Sequence, residues 1–161
     1  MNIDVVVEIP KGSRNKFEID HETGQVWLDR LLFTATIYPA DYGFVPNTLS
    51  EDGDPLDALV LLDEPTFPGC HIRARAIGVF WMTDEAGPDA KVLCVPATDP
   101  RWAEVNELQD VPLYLRNEIE HFFTVYKDLE PGDTEVRGWG DRSEALEIIH
   151  ACRVRAGVID S

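Results

Sequence analysis

The sequence predicts a mainly β protein with flanking helices (α+β), in which a small closed barrel precedes a helical C-terminal third. Short segments separated by turn residues fill the first two-thirds of the 161 residues, and such a series is typical of small barrels. In the last third, apolar residues recur at the 3.6-residue period of an amphipathic helix. Because 44% of the residues are hydrophobic, we expect residues 1–161 to form one domain with a sizeable core.

The β part begins with an alternating segment, since the apolar residues at positions 3, 5, 7 and 9 would share one face of a strand. The segment His21-Glu22-Thr23-Gly24 is a hairpin signal between two such segments. A turn containing Gly and Pro is expected over residues 83–90. The predicted strands cover residues 3–9, 16–20, 25–32, 56–62, 72–82 and 91–95.

Two helices are predicted in the last third. Pro112 suits the first turn of a helix over residues 112–129, and the apolar residues that define its buried face are Leu115, Ile119, Phe122 and Tyr126. Asp141 and Glu144 have the spacing of a capping box, which predicts a second helix over residues 141–156. A short strand over residues 134–138 would join the two helices.

Composition excludes several classes of partner. With 14 basic and 30 acidic residues, the net charge is −16, and such a surface repels nucleic acid and anionic lipid. The odd number of cysteines and the absence of a CxxC pair indicate reduced thiols, so we expect a cytoplasmic protein. The N-terminus does not have the pattern of a signal peptide, and no apolar run has the length of a membrane span.

The segment Asp52-Gly53-Asp54-Pro55-Leu56-Asp57 is the strongest chemical signal in the chain. Asp57 lies at the start of an apolar segment that otherwise predicts a buried strand. Burying a carboxylate without a partner costs several kcal/mol of folding free energy. Either an Arg or Lys partner or a metal ion could compensate its charge. Three carboxylates in six residues favour a hard cation such as Mg²⁺, although most strings of this kind are exposed acidic loops.

Other charged and aromatic segments are ambiguous when each is considered alone. Asp84 and Asp89 flank the predicted turn, with Lys91 two residues farther on; the pair could converge on a cation or be a solvated hairpin tip. The segment from Glu8 to Glu18 is typical of a polar turn between strands. The tyrosines near Pro39 and Gly43 could pack at a barrel corner or bind phosphate, and no ligand spacing connects the four histidines, including His21.

Together these segments, in this order, resemble the soluble family I inorganic pyrophosphatases over about residues 7–130. The segments that match are Glu8-Ile9-Pro10, Lys16-Phe17-Glu18, Tyr38-Pro39 with Tyr42-Gly43, the acidic hexad 52–57, Asp84-Glu85-Ala86-Gly87 with Asp89-Ala90-Lys91, and Tyr126-Lys127-Asp128-Leu129. The resemblance implies a five-stranded OB-type barrel with helices packed outside. It also implies Mg²⁺-dependent hydrolysis of pyrophosphate to two orthophosphates by a metal-activated water.

The same resemblance implies a set of metal ligands. By motif position, Asp52, Asp57 and Asp89 would bind a first metal ion, and Asp57 would bridge to a second. Asp84 and Asp89 would hold a third ion that arrives with the substrate, and Glu8 would lie near a fourth. Several Mg²⁺ ions per site would explain how so acidic a protein accepts an anionic substrate.

The remaining implied roles concern water and phosphate. Asp54 would be the base that orients or deprotonates the attacking water, and Glu18 would contact metal-bound water. The implied phosphate clamp consists of Lys16, Arg30, Tyr42, Lys91, Tyr126 and Lys127. The short chain matches the compact bacterial type, which implies a homohexamer of two trimers packed back to back. A role for His21 is not implied.

Two other functions are compatible with the acidic motifs. A metal-dependent hydrolase of nucleotide phosphates would need a surface that binds the base, and the sequence offers no candidate for one. A non-enzymatic acidic barrel that binds Ca²⁺ would leave the basic residues of the proposed clamp without a task.

Overall fold

The computed structural model describes residues 1–159. Its strands are β1 Asn2–Ile9, β2 Asn15–Ile19, β3 Val26–Leu31, β4 Asp41–Val45, β5 Leu56–Val60, β6 His71–Asp84, β7 Gly87–Pro96 and β8 Glu135–Gly140. Its helices are α1 Leu113–Val125 and α2 Arg142–Arg155, with short 3₁₀ turns at Pro100–Trp102 and Leu108–Asp110. Within residues 1–159, neither α-helix is long and apolar enough to cross a membrane.

Five strands close into a barrel, which confirms the predicted OB-type architecture. The strand order is β1-β4-β5-β7-β6, and β6 pairs with β1 to complete the ring. All neighbours in the ring are antiparallel except β5 and β7, which run parallel. Strand β8 extends the sheet beyond β6, and β2 with β3 forms a separate hairpin, as the turn signal at residues 21–24 predicted.

The two faces of the barrel sheet pack against different helices. In β5, Ala58 and Val60 belong to a buried cluster that includes Ile149 of α2. Leu59, which points the other way, belongs to a cluster that includes Phe122 and Phe123 of α1. This alternation is the two-residue period of a strand whose faces are both buried. Side chains on the α1 side of β5 and β7 include the charged residues described below.

Both predicted helices are present with slightly shorter bounds. Pro112 is the N-cap of α1, and the chain leaves the helix at Tyr126. Asp141 caps α2, and its side chain and that of Glu144 exchange the reciprocal backbone hydrogen bonds of a capping box. The local sequence signal therefore located the start of α2 correctly.

The structure differs from the sequence prediction at one strand and one turn. Strand β4 was not predicted, because Tyr42-Gly43 suggested a corner rather than a strand. Strand β7 begins at Gly87, so the predicted turn over residues 83–90 is shortened to Glu85 and Ala86. Asp89 consequently lies on a strand opposite Met82 and not in a loop.

Gly43 is required where β4 pairs with β1, opposite Val7. A Cβ atom at this position would lie 1.8 Å from the carbonyl oxygen of Val6 and 2.9 Å from the Cα atom of Val7. Both contacts are with backbone, so no side chain can move away to relieve them. Glycine disfavours a strand, but here it allows the close approach of two barrel strands.

Gly43→Ala should destabilise the protein by at least about 2 kcal/mol, because the added methyl group forces β4 away from β1. Urea unfolding followed by tryptophan fluorescence measures the change as a lower midpoint. Asn117→Ala, on the exposed face of α1, is the control and should change stability by less than about 0.5 kcal/mol. Equal midpoints for the two variants would show that β4 and β1 are not tightly packed at Gly43.

Candidate active site

A single cleft of about 240 Å³ gathers nearly all of the candidate residues from separate parts of the chain. They come from β1, β2 and β4 to β7, from the loop between β4 and β5, and from the turn that follows α1. The predicted site residues that line the cleft are Glu8, Lys16, Glu18, Tyr42, Asp52, Asp54, Asp57, Asp84, Asp89, Lys91, Tyr126 and Lys127. Arg30 is the one predicted site residue that does not line it.

Lys91 is the central charge of the cleft, and it is only 1% exposed. Its Nζ lies 3.2 Å from Asp57 Oδ2 and 3.1 Å from Asp89 Oδ2, and it donates to the Tyr42 hydroxyl at 2.7 Å. An ammonium group has three N–H donors, so these three partners satisfy it fully. Asp57 and Lys91 meet because they are direct partners in the parallel β5–β7 register.

Aromatic rings surround the buried ammonium. Lys91 Nζ lies 5.0 Å from the ring centroids of both Tyr42 and Phe123, and such contacts stabilise a cation that has lost its water. Burial raises the pKa of Tyr42 well above its usual value, so the phenol stays protonated. Its oxygen can therefore accept from Lys91 while its O–H remains a donor.

The Lys91 pair corrects one step of the sequence argument. The sequence leaves a basic partner and a metal ion as alternatives for compensating the charge of Asp57. In the structure the basic partner is Lys91. One ammonium does not balance the cleft, however, because seven carboxylates and three lysines line it. The surplus of negative charge favours the binding of further cations.

The loop between β4 and β5 brings Asp52 and Asp54 to the cleft. Its tight turn is closed by a hydrogen bond from Ser50 N to the Asp54 carbonyl at 2.7 Å, and Gly53 adopts a φ of 90°. Asp52 Oδ1 accepts from Asp54 N at 3.0 Å, which orients the Asp52 carboxylate along the loop. A positive φ favours glycine, so this residue permits the turn that separates the two carboxylates.

Glu8 and Asp84 are each tied to the backbone. Glu8 Oε2 accepts from Ile19 N at 2.8 Å, and Asp84 Oδ1 accepts from Ala86 N at 2.9 Å. Burial raises the pKa of Glu8 above its usual value. The other carboxylate oxygens, Glu8 Oε1 and Asp84 Oδ2, accept no hydrogen bond from within residues 1–159.

Two basic residues outside the centre, Lys16 and Arg30, are paired with acids. Lys16 Nζ lies 3.3 Å from Asp29 Oδ2, and Asp29 also contacts the guanidinium of Arg30. Arg30 forms a bidentate pair with Glu130, at 3.2 Å from Nε to Oε2 and 2.7 Å from Nη2 to Oε1. Glu130 thus holds Arg30 outside the cleft lining.

Six residues that line the cleft are not among the site residues predicted from the sequence: Ile9, Phe17, His21, Tyr38, Phe44 and Pro55. His21 packs edge-on against Phe44, with ring centroids 4.7 Å apart, and both line the cleft. Tyr38 also lines it and is 1% exposed. Tyr38 could have been found from the sequence, because it lies in the same motif as Tyr42. His21 could not, because a histidine in a hairpin turn carries no pattern that indicates a site.

Crowding of carboxylates perturbs proton binding. Burial raises the pKa of Asp57 to about 7, and repulsion from Asp89 adds to this effect although Lys91 opposes it. Burial also raises the pKa of Asp52, with smaller contributions from neighbouring aspartates. A raised pKa means that the ionised carboxylate is unfavourable in the empty cleft. A bound cation would stabilise that ionised form.

The donor set fits a hard divalent cation, because carboxylate oxygens are the ligands that Mg²⁺ prefers. Within residues 1–159, no three carboxylate, imidazole or thiol side chains form a preassembled metal cluster. Asp57 and Asp89 instead converge on the ammonium of Lys91. Small side-chain rotations would therefore accompany cation binding.

Without metal, the protein should lose stability as the pH rises from about 4 to about 7. The pKa of Asp57 is raised from 3.8 to about 7 by folding, so the folded state binds this proton more tightly than the unfolded state. Its contribution to stability is complete below pH 3.8 and is lost as the pH rises through 7. Thermal unfolding in EDTA between pH 4 and pH 8 measures the loss.

Asp57→Asn should flatten this profile and raise the melting temperature at pH 8, since the carboxylate can no longer ionise. Asp63→Asn, which changes an exposed carboxylate outside the cleft, should keep the wild-type profile. Identical profiles for wild type and Asp57→Asn would show that Asp57 does not titrate in this range.

Comparisons with known proteins agree with the geometry. A family model described as "Inorganic pyrophosphatase" matches residues 5–156. Proteins with that name from Leifsonia xyli subsp. xyli and Streptomyces coelicolor are 62% and 66% identical, and the alignments cover 92% and 90% of this chain and 91% and 90% of theirs. The crystal structure of inorganic pyrophosphatase from Thermus thermophilus superposes with a TM-score of 0.94 at 46% identity, covering 97% of this chain and 91% of that chain. The chain therefore belongs to the inorganic pyrophosphatase family.

Proposed function

We propose that this protein hydrolyses inorganic pyrophosphate to two orthophosphates and depends on Mg²⁺ to do so. The observation that supports this most strongly is the single cleft in which seven carboxylates face three lysines. A cleft of 240 Å³ suits a small ligand. Removing pyrophosphate would pull forward the biosynthetic reactions that release it.

The carboxylates are assigned to cations. We assign Asp52, Asp57 and Asp89 to a first Mg²⁺, with Asp57 shared with a second ion. Asp84 and Asp89 would hold an ion that enters with the substrate, and Glu8 would lie near a fourth. When bound, Mg²⁺ supplies Lewis-acid charge that lowers the pKa of water and neutralises phosphate oxygens.

The chain's own residues would orient the reactants. Asp54 lies in the loop beside the cleft and is proposed to accept a proton from the attacking water, while Glu18 would position a neighbouring water. Phosphoryl transfer depends mainly on such positioning and on charge stabilisation. No serine or cysteine nucleophile is needed.

The basic residues would bind the phosphates. Lys16, Lys91 and Lys127 line the cleft, and the Tyr42 and Tyr126 hydroxyls can donate to phosphate oxygens. Arg30 would act from the rim of the cleft, where its pairs with Asp29 and Glu130 hold it. Asp29 and Glu130 would limit its attraction for anions until the substrate competes for the guanidinium.

The cellular setting is also a proposal. We infer one catalytic domain over residues 1–161, a cytoplasmic location and a homohexamer, without nucleic-acid or membrane partners. The cysteines at positions 70, 94 and 152 are free thiols, and the net charge of −16 disfavours polyanions. Exposed apolar side chains, among them Trp27, Phe33 and Tyr114, are compatible with contacts between copies.

Release of orthophosphate from pyrophosphate should require Mg²⁺ and should exceed release from ATP. A phosphate assay with purified protein, with and without EDTA, measures both substrates under the same conditions. Faster turnover of ATP would favour a nucleotide phosphohydrolase. Cation binding without turnover of either substrate would favour a Ca²⁺-binding barrel.

Asp57→Asn should reduce turnover of pyrophosphate by about 10³-fold or more, because a shared cation ligand is lost. It should also weaken Mg²⁺ binding measured by calorimetry without substrate. Asp63→Asn, an aspartate outside the cleft, is the matched control and should retain normal activity. Normal turnover in Asp57→Asn would show that its bridging role is misplaced.

Asp54→Asn should reduce turnover by about 10²-fold or more and change the pH–rate profile, because the proposed base is removed. Its Mg²⁺ affinity should fall less than that of Asp57→Asn. If calorimetry gives the opposite order, the base and the cation ligand have been interchanged.

A further inference from the structure

We propose that the C-terminal end of α2 positions the acidic loop of the active site, with Arg155 as the positioning residue. The acidic loop is defined here as residues 46–55, between β4 and β5. This inference rests on the proposed function, because it concerns how Asp52 and Asp54 of that loop are held in place for Mg²⁺ and water. Arg155 itself does not line the cleft.

The two ends of the acidic loop are joined by one buried side chain. Thr48 Oγ1 donates to the carbonyl of Val45 at 2.5 Å and accepts from Leu56 N at 2.9 Å. It thereby links the last residue of β4 to the first residue of β5. This bridge fixes the base of the loop but leaves residues 49–54 to find support elsewhere.

That support comes from α2. Leu49 N donates to the carbonyl of Cys152 at 3.0 Å, and Arg155 Nη1 donates to the carbonyl of Leu49 at 2.8 Å. Both main-chain polar groups of Leu49 are therefore bound by residues more than 100 positions away. The last turn of the helix therefore holds the loop backbone at Leu49 through one main-chain bond to Cys152 and one side-chain bond from Arg155.

Two weaker contacts extend the attachment along the loop. Ser50 Oγ lies 3.8 Å from the Cys152 thiol, and Arg155 Nη2 lies 3.8 Å from Glu51 Oε1. Ser50 in turn closes the tight turn through its bond to the Asp54 carbonyl. A continuous set of contacts thus connects Arg155 with the residues that carry the two carboxylates.

The sign of the effect distinguishes positioning from simple electrostatics. Arg155 is a cation beside an acidic loop, so removing its charge should by Coulomb's law strengthen Mg²⁺ binding. Losing its bond to Leu49 should instead let the loop move and weaken Mg²⁺ binding. Partners that hydrogen-bond a metal ligand directly contribute about 10–100-fold to affinity. Arg155 acts through Leu49, so we expect a loss at the lower end of this range.

Arg155→Ala should weaken Mg²⁺ binding to the substrate-free protein about tenfold, as measured by calorimetry, and should lower turnover of pyrophosphate at limiting Mg²⁺. Its melting temperature in EDTA should stay close to that of wild type, because the side chain lies at the protein surface. Arg155→Lys, which keeps a donor on a flexible stem, should restore part of the affinity. Arg155→Met keeps the aliphatic stem without the donor and should behave like Arg155→Ala.

Arg153→Ala is the matched control. Arg153 lies on the same helix, carries the same charge and makes its one side-chain hydrogen bond within residues 1–159 to Met1 Sδ. This variant should leave Mg²⁺ affinity within about twofold of wild type, since a surface charge change alone has little effect at moderate salt.

Equal or tighter Mg²⁺ binding in both Arg155→Ala and Arg155→Met would overturn the proposal, as would equal losses in Arg155→Ala and Arg153→Ala. If wild type binds Mg²⁺ but does not hydrolyse pyrophosphate, the proposed function fails, and the binding comparison still tests the positioning role. If wild type does not bind Mg²⁺, both proposals fail.

Discussion

The buried ammonium of Lys91 is the interaction on which the site depends. It lies between the carboxylates of Asp57 and Asp89 and contacts the Tyr42 hydroxyl, so four polar groups from three strands satisfy one another. The contact follows from the parallel pairing of β5 with β7, whose register places Asp57 opposite Lys91. A buried charge without such partners would be strongly destabilising. Pairing of these two strands therefore brings the centre of the site together.

The same arrangement leaves the cleft short of positive charge. Lys91 compensates parts of two carboxylates, while five further carboxylates line the cleft with Lys16 and Lys127, and Lys16 is already paired with Asp29. Burial raises the pKa of Asp57 to about 7, which shows that the metal-free fold retains a proton on this group more readily than an exposed aspartate would. Repulsion among its carboxylates destabilises such a site, and bound cations would stabilise it. Binding sites commonly reduce the stability of the unliganded protein in this way. The acidity of the whole chain then assists the enzyme, since bound cations can attract an anionic substrate.

Patterns confined to a few residues predicted the structure well. The β2–β3 hairpin, the start of α2 at the Asp141 capping box and the strand containing Asp57 all follow from local sequence. Strand β4 could not be predicted in this way, because Gly43 disfavours a strand and is needed only where β1 passes within contact distance. The pairing of Arg30 with Glu130 joins residues 100 positions apart. The neighbouring Asp29 is visible in the sequence, but no local pattern indicates that Glu130 binds this arginine.

The acidic loop shows why a motif can be predicted from the sequence while the contacts that hold it in place cannot. The spacing of Asp52, Asp54 and Asp57 can be read from six residues, since their chemistry requires those side chains. The loop that carries Asp52 and Asp54, however, is attached to the end of α2 through the main-chain N–H and carbonyl of Leu49, and a carbonyl can be bound by many different side chains. The last thirty residues accordingly contribute little to a motif-based resemblance, although the family model extends through residue 156. Because α2 also packs Ile149 against the barrel core, a shift of this helix would be transmitted to both the core and the loop. The geometry of the proposed cation ligands is therefore a property of the whole fold and not of the hexad alone.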